Sequence, residues 1–349
     1  MSSIGILSLN VTRKASRDAR LNGVAPKNGR RRLRCVILSA VLFLQLPLAG
    51  AASRIDALSL LNQRVQARSA LLVDPASGKV LFRRNPTEAL PPASTVKLLT
   101  ALLVYERTEL KGEVVIQKSD TLVEPSRIPL RTGEIVPVKT LVQSLLIGSD
   151  NDSALALARH TGGSVEKFVT MMNIRARELG CTNSLFKNPN GLPVIGQVTT
   201  AYDLLKVFQA AMAVPELRDI CRTPSIALKT AAGLQTLKNH NKLLGVYPGM
   251  GPAKTGWTFR SKHTFAASAT RDGHELHLIL LHSANKWVDA RTLFDFGFEQ
   301  LRREGSAPRA ALESSATRAA HVIADLSLGA TAGRIQRSIN VPVLLLRAE

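Results

Sequence analysis

The stretch Ala93-Ser94-Thr95-Val96-Lys97-Leu98-Leu99-Thr100 decides how this 349-residue chain is read. It sets a serine and a lysine three residues apart at the head of an apolar run. On a helix that spacing places both side chains on one face, so the hydroxyl can meet the amine. A serine hydroxyl is a weak nucleophile at neutral pH and needs a positioned base. Lysine serves as that base only as the free amine, which requires burial or a neighbouring cation to lower its pKa. Taken alone, the same residues also fit an N-capping serine followed by a solvated lysine.

Two later segments remove that ambiguity. Leu145-Leu-Ile-Gly-Ser-Asp-Asn-Asp152 carries Ser149-x-Asn151, and Ala253-Lys-Thr-Gly-Trp257 carries Lys254-Thr255-Gly256. Ser-x-x-Lys, Ser-x-Asn and Lys-Thr-Gly, in that order, form the set shared by penicillin-binding proteins and class A β-lactamases. Ser69-Ala-Leu-Leu-Val-Asp-Pro-Ala-Ser-Gly-Lys-Val-Leu81, followed by Leu90-Pro-Pro-Ala-Ser-Thr-Val-Lys97, resembles the entry to the active-site helix of low-molecular-weight penicillin-binding proteins. Asn188-Pro-Asn-Gly-Leu-Pro193 and Thr199-Thr-Ala-Tyr-Asp-Leu204 resemble the same family. From about Ser69 to Gln300 the chain therefore resembles a serine-type D-alanyl-D-alanine carboxypeptidase of the β-lactamase/transpeptidase-like superfamily.

That resemblance implies a role for each motif residue. Ser94 attacks the penultimate D-alanine carbonyl, and Lys97, kept neutral by burial and the Lys254 charge, is the base. Ser149 relays a proton to the leaving amine. Asn151, with both a donor and an acceptor, fixes Lys97 and the substrate backbone. Lys254 and Thr255 bind the terminal carboxylate of a stem peptide, or that of a β-lactam acting as covalent inhibitor. Gly256 keeps the strand edge clear for substrate. The backbone N–H groups of Ser94 and Trp257 form the oxyanion hole. The scheme calls for no metal and no cofactor. Asp150 departs from the glycine often found between the serine and asparagine in such carboxypeptidases.

Around these motifs the pattern predicts an α+β fold. Ser69–Phe82 reads as two strands about the turn Asp74-Pro-Ala-Ser-Gly78, opening an antiparallel sheet. Ser94–Glu106 reads as a helix apolar on most faces, hence buried. Val138–Leu146, Asp152–His160, Ser164–Leu179, Ala201–Ala213 and Pro215–Cys221 read as helices, with Ser149-Asp150-Asn151 in a break. Strands return at Gly249–Thr258, Thr264–Arg271 and Glu275–His282, the last two joined at Asp272-Gly273. Leu293–Glu299 reads as a closing helix. The result is an antiparallel sheet flanked by helices with an inserted helical lobe, and the resemblance sets the catalytic cleft where sheet and lobe meet.

The chain ends are expected to lie outside that fold. Arg30, Arg31, Arg32 and Arg34 precede the apolar run Cys35–Leu48 and the small residues Ala49-Gly50-Ala51. This is the order of a secretory signal peptide, here with a long N-terminal extension, over residues 1–51. The reading is an exported protein, in the periplasm or on the outer face of the cytoplasmic membrane. Membrane association stays open, because the leader is either cleaved or retained as an anchor. Residues 52–300 form the peptidase domain, and 301–349 a short C-terminal tail without a membrane anchor. Of the formal net charge of +20, residues 1–51 hold a net +8, so the remainder keeps +12. Such a balance fits anionic envelope polymers. No nucleic-acid module is present and aromatics are only 4% of residues, which argues against base stacking.

Other features carry less. His274 and His277, three apart on a strand, point to opposite faces and make a poor metal pair. Cys181 and Cys221 are too few for a disulfide scaffold, and their pairing stays open. Arg260, Lys286 and Arg291 are candidates for holding the substrate carboxylate, with ordinary surface positions as the alternative. Three rival functions share the motifs. A DD-endopeptidase differs only in the amine released, and a penicilloyl-binding sensor would acylate without turnover. A β-lactamase needs a deacylating glutamate, for which Glu178 with Asn183 is the nearest and poorly spaced candidate.

Overall fold

The computed structural model describes residues 59–123, 128–231 and 233–306. Every element below lies in the unit that begins at Leu61. Strands β1 (Ser69–Val73) and β2 (Val80–Arg84) pair antiparallel. Asp74 holds their turn by accepting hydrogen bonds from Ala76 N (2.9 Å) and Ser77 Oγ (2.6 Å). Two hairpins follow, β3 (Glu113–Val115) with β4 (Ile135–Pro137), and β5 (Ser225–Thr230) with β6 (Gly233–Lys238). The chain then rejoins the first sheet through β7 (Met250–Thr258), β8 (Lys262–Arg271) and β9 (His274–Ser283). The five strands lie in the order β2-β1-β9-β8-β7, so β7 is an edge.

Both faces of this sheet are buried, and strand alternation divides them. Leu72, Phe265, Leu278 and Leu280 join one apolar cluster with Phe294 and Phe298. Leu71, Val73, Ile279 and Leu281 join the other, with the helical lobe. The first face is covered by the closing helix that follows β9. A Cβ on its Gly297 would come within 2.6 Å of Leu276 Cδ1 and 2.7 Å of Leu72 Cδ2, so glycine permits the close approach. The lobe comprises α1 (Lys97–Thr108), α2 (Lys118–Thr121), α3 (Val138–Gln143), α4 (Asn151–Gly162), α5 (Val165–Glu178), α6 (Ala201–Met212) and α7 (Pro215–Cys221). In α1 every residue from Lys97 to Val104 is buried, as its nearly all-round apolarity predicts. The closing helix is α8 (Lys286–Ser306).

Several local expectations are corrected. Ser94 sits in a 3₁₀ turn, Ala93–Val96, ahead of α1 rather than in its first α turn. Thr95 Oγ1 (2.6 Å) and Thr264 Oγ1 (2.9 Å) both donate to Pro92 O and pin that turn to β8. The helix expected over Val138–Leu146 ends at Gln143 and widens into a π turn, Ser144–Gly148. The hairpins β3–β4 and β5–β6 were not expected, because their strands are short or half exposed and alternate weakly. Helix α8 greatly overruns the predicted Leu293–Glu299, reaching past residue 300. Cys181 and Cys221 are free, buried thiols. No helix among the described residues is long and apolar enough to cross a membrane. The expected leader and the tail beyond residue 306 lie outside the described residues.

Candidate active site

The 3₁₀ turn presents Ser94 half-buried at the foot of the cleft, with Ala93 held at φ +48° just before it. Such a conformation is costly for a residue with a Cβ and persists only where its surroundings enforce it. Here two glycines crowd the same backbone. A Cβ on Gly191 would lie 2.0 Å from Ala93 O, and one on Gly256 would lie 2.8 Å from Ser94 N. Gly256 thus lets edge strand β7 approach the backbone amide of Ser94.

One turn on, Lys97 is fully buried. Its Nζ is 3.0 Å from Ser94 Oγ, 2.7 Å from Asn151 Oδ1 and 2.8 Å from the backbone oxygen of Asn190. The two carbonyl oxygens only accept, so they take two N–H bonds. The third direction faces the serine. Burial, then the charge of Lys254, drives the Lys97 pKa well below the usual lysine value; Asp150 and Asp152 oppose that shift. In the neutral form that this shift favours, the lone pair of Lys97 faces the Ser94 hydroxyl. The solvated-lysine alternative is excluded by this burial.

Ser149 follows the π turn with φ +62°, which turns it toward β7. Lys254 Nζ donates to Ser149 Oγ at 2.8 Å and to Thr255 O at 3.0 Å. Burial pushes Lys254 down to about 8, while Cys221 and Asp150 raise it. Asp150, the atypical middle residue, accepts from Ser144 Oγ at 2.5 Å. A Cβ on Gly148 would come 2.5 Å from Asp150 Oδ2, so the glycine makes room for this carboxylate. Next along, burial lifts the Asp152 pKa to about 7.

All three motifs converge on one cleft, where Ser94, Ser149, Thr255, Gly256 and Trp257 share the lining. The opposite wall is β6 and the segment after it, including Lys238, His240 and Lys242. His240 is pushed down to about 4 by desolvation, then by Lys254, Lys97 and Lys286. The cleft is therefore a field of positive potential suited to an anionic substrate. Of the three basic candidates, Lys286 lines this cleft and is buried. Arg260 is exposed beside Pro91–Ala93, and Arg291 lies 6.0 Å over the Tyr247 ring. Sequence reasoning missed the Asn190 carbonyl, although the Asn-Pro-Asn-Gly turn that delivers it was visible. Asn188 Oδ1 accepts from Gly191 N at 2.7 Å and closes that turn.

Other sequence candidates fall elsewhere. Glu178 pairs with Arg175 at 3.1 Å in a separate groove between α1 and α5, and so supplies no deacylating base to the cleft. His277 is buried edge-on against Phe208, 5.2 Å between ring centroids, while His274 is exposed.

Fold and site together define a class, the penicillin-binding and DD-transpeptidase-like serine enzymes. A solved D-alanyl-D-alanine carboxypeptidase from Mycobacterium tuberculosis superposes with a TM-score of 0.65 at 35% identity, covering 67% of this chain and 92% of that one. A solved Streptomyces DD-transpeptidase gives 0.64 at 28% identity, covering 67% and 98%. Within that class the chain belongs to the D-alanyl-D-alanine carboxypeptidase family of serine peptidases, whose pattern matches residues 56–285. By sequence, a D-alanyl-D-alanine carboxypeptidase of M. tuberculosis is 36% identical over 240 residues, 66% of this chain and 82% of that protein. Proteins named D-alanyl-D-alanine endopeptidase are also among the relatives.

Proposed function

We propose that this chain removes the terminal D-alanine from peptidoglycan stem pentapeptides through an acyl-enzyme on Ser94. The observation that carries this reading is the three-way setting of Lys97, which leaves a neutral amine one direction to face, that of the serine hydroxyl. Lys97 takes the hydroxyl proton as Ser94 Oγ attacks the penultimate D-alanine carbonyl. The developing oxyanion is received by the backbone N–H groups of Ser94 and Trp257, donors worth on the order of 100–1,000-fold each in such sites. Ser149, bonded to Lys254, passes a proton to the leaving nitrogen, the C–N bond breaks and D-alanine departs. Water then cleaves the ester.

Lys254, Thr255 and Lys286 hold the terminal carboxylate, and Asn151 steadies Lys97 and the substrate amide. β-Lactams present the same carboxylate and leave a stable acyl-enzyme. The enzyme is exported by a leader within residues 1–51 and works in the periplasm or on the outer face of the cytoplasmic membrane, with 52–300 as the peptidase domain. The test is mass spectrometry after incubation with pentapeptide and with cross-linked muropeptide dimer. Free D-alanine from the pentapeptide supports the carboxypeptidase reading. Cleavage of the dimer in its place moves the function to the endopeptidase reading, and a penicillin adduct without turnover moves it to a sensor.

A further inference from the structure

Lys286 opens α8 directly after β9, and its ammonium is held on two sides. Nζ lies 2.8 Å from His263 Nδ1 and 4.3 Å above the Trp287 ring. His263 is on β8, where it pairs with Trp257 of β7, and the two rings lie 6.5 Å apart. On the other side of β8 the register with β9 slips between His263 and Phe265. An irregularity of this kind bends a strand and re-aims a side chain. Here it sets His263 at the cleft, beside the N-terminal end of α8. Two residues further on, Phe265 packs edge-on against Trp287 at 5.6 Å, so the same strand face fixes both neighbours of the ammonium.

We propose that His263 is a positioning residue that holds Lys286 as a second cationic ligand for the substrate's terminal carboxylate. The inference rests on the carboxypeptidase reading above. Burial and the Lys286 charge lower the His263 pKa, so the ring is neutral at neutral pH. In the tautomer protonated at Nε2, Nδ1 accepts from the ammonium. Lysine loses much rotamer freedom when it is ordered. His263 and Trp287 impose that order before substrate arrives, so binding does not have to. Thr255 lines the cleft from β7 and Lys286 lines it from α8, with Lys254 behind Ser149, giving the carboxylate ligands from two elements.

The test is steady-state release of D-alanine by the full-length protein from an acyl-D-alanyl-D-alanine peptide. His263→Leu removes the acceptor, while His263→Asn places an amide oxygen where Nδ1 stood. Loss of an ordered charged ligand predicts that His263→Leu raises KM about tenfold with kcat within about twofold. His263→Asn restores most of the affinity. Lys286→Met raises KM as much, and the double variant adds nothing further, the signature of one coupled unit. An unchanged KM in His263→Leu overturns the proposal, as does a fall in kcat that Asn does not rescue. If wild-type protein releases no D-alanine, the carboxypeptidase reading falls. Acylation by benzylpenicillin, which carries the same carboxylate, then reads the His263 effect by the same comparisons.

Discussion

A Cβ added to Gly256 would stand 2.8 Å from the backbone nitrogen of Ser94, and 2.4 Å from Thr264 Oγ1. The strand that carries Lys254 and Thr255 is therefore in contact with the turn that carries Ser94. Gly256→Ala must push one away from the other. The expected result is acylation by benzylpenicillin slowed by about 100-fold or more, the scale of a lost oxyanion donor. Stopped-flow acylation rates beside a thermal melt check it: a rate near wild type would mean the contact is not needed for chemistry.

Ser94→Ala is expected to abolish covalent labelling by penicillin while leaving the fold intact, because it removes one half-buried oxygen. Intact-protein mass spectrometry reads the adduct. A label retained on the variant would move the nucleophile elsewhere.

Lys97→Ala is expected to slow acylation by about 1,000-fold or more, the upper range for a general base combined with its electrostatic role. The protein should still fold, since the change removes a buried amine that burial already disfavours as a cation. Circular dichroism and acylation rates together decide this, and near-normal rates would remove Lys97 as base.

The pH profile of kcat/KM follows from the two lysines. Lys97 must be neutral, so activity rises as it loses its proton, at a pH well below the usual lysine range. Lys254 must be charged to hold a carboxylate, so activity falls through about pH 8. Lys286 titrates in the same region and steepens that fall. Lys254→Arg, which stays charged, is expected to keep a lower rate but lose much of the alkaline fall. An alkaline limb left in place by that change would assign it to another group.

Asp152 is buried with its pKa raised to about 7, above the 3.8 of an ordinary aspartate. The folded state then binds a proton that the unfolded state has released between these values, so stability declines as pH rises through that window. Asp152→Asn should melt higher than wild type at pH 8, with the gap closing toward pH 4. Three pKa units set an upper bound of about 4 kcal/mol. Equal melting temperatures at pH 8 would show that the carboxylate is stabilised there by its surroundings.

Much of this site was legible in the sequence because its chemistry is carried by three short, ordered motifs. The structure brings the three motifs to one cleft, with Lys97 bonded to Ser94 and Asn151, and Lys254 bonded to Ser149. The strands β1, β8 and β9 were legible too, as apolar runs bounded by turn residues. Lys286 was one of three basic candidates, with Arg260 and Arg291, and the sequence could not single it out, because a lysine amid polar residues is ordinarily solvated. Its burial depends on His263 and Trp287, which tertiary packing alone brings together. The Asn190 contribution was hidden for a different reason: it is a backbone oxygen, and no side chain announces it. The π turn before Ser149 likewise leaves no mark in apolar spacing, since it depends on room for the Asp150 carboxylate beside Gly148.

Lys97 and Lys254 are both shut away from water, and the charge of Lys254 makes it harder for Lys97 to carry its own. The charge on Lys254 thus acts in two directions: it is offered toward a carboxylate in the cleft, and it keeps the amine facing Ser94 inclined to stay bare. A neutral side chain in place of Lys254 would weaken both at once, so recognition and reactivity hang on a single charge.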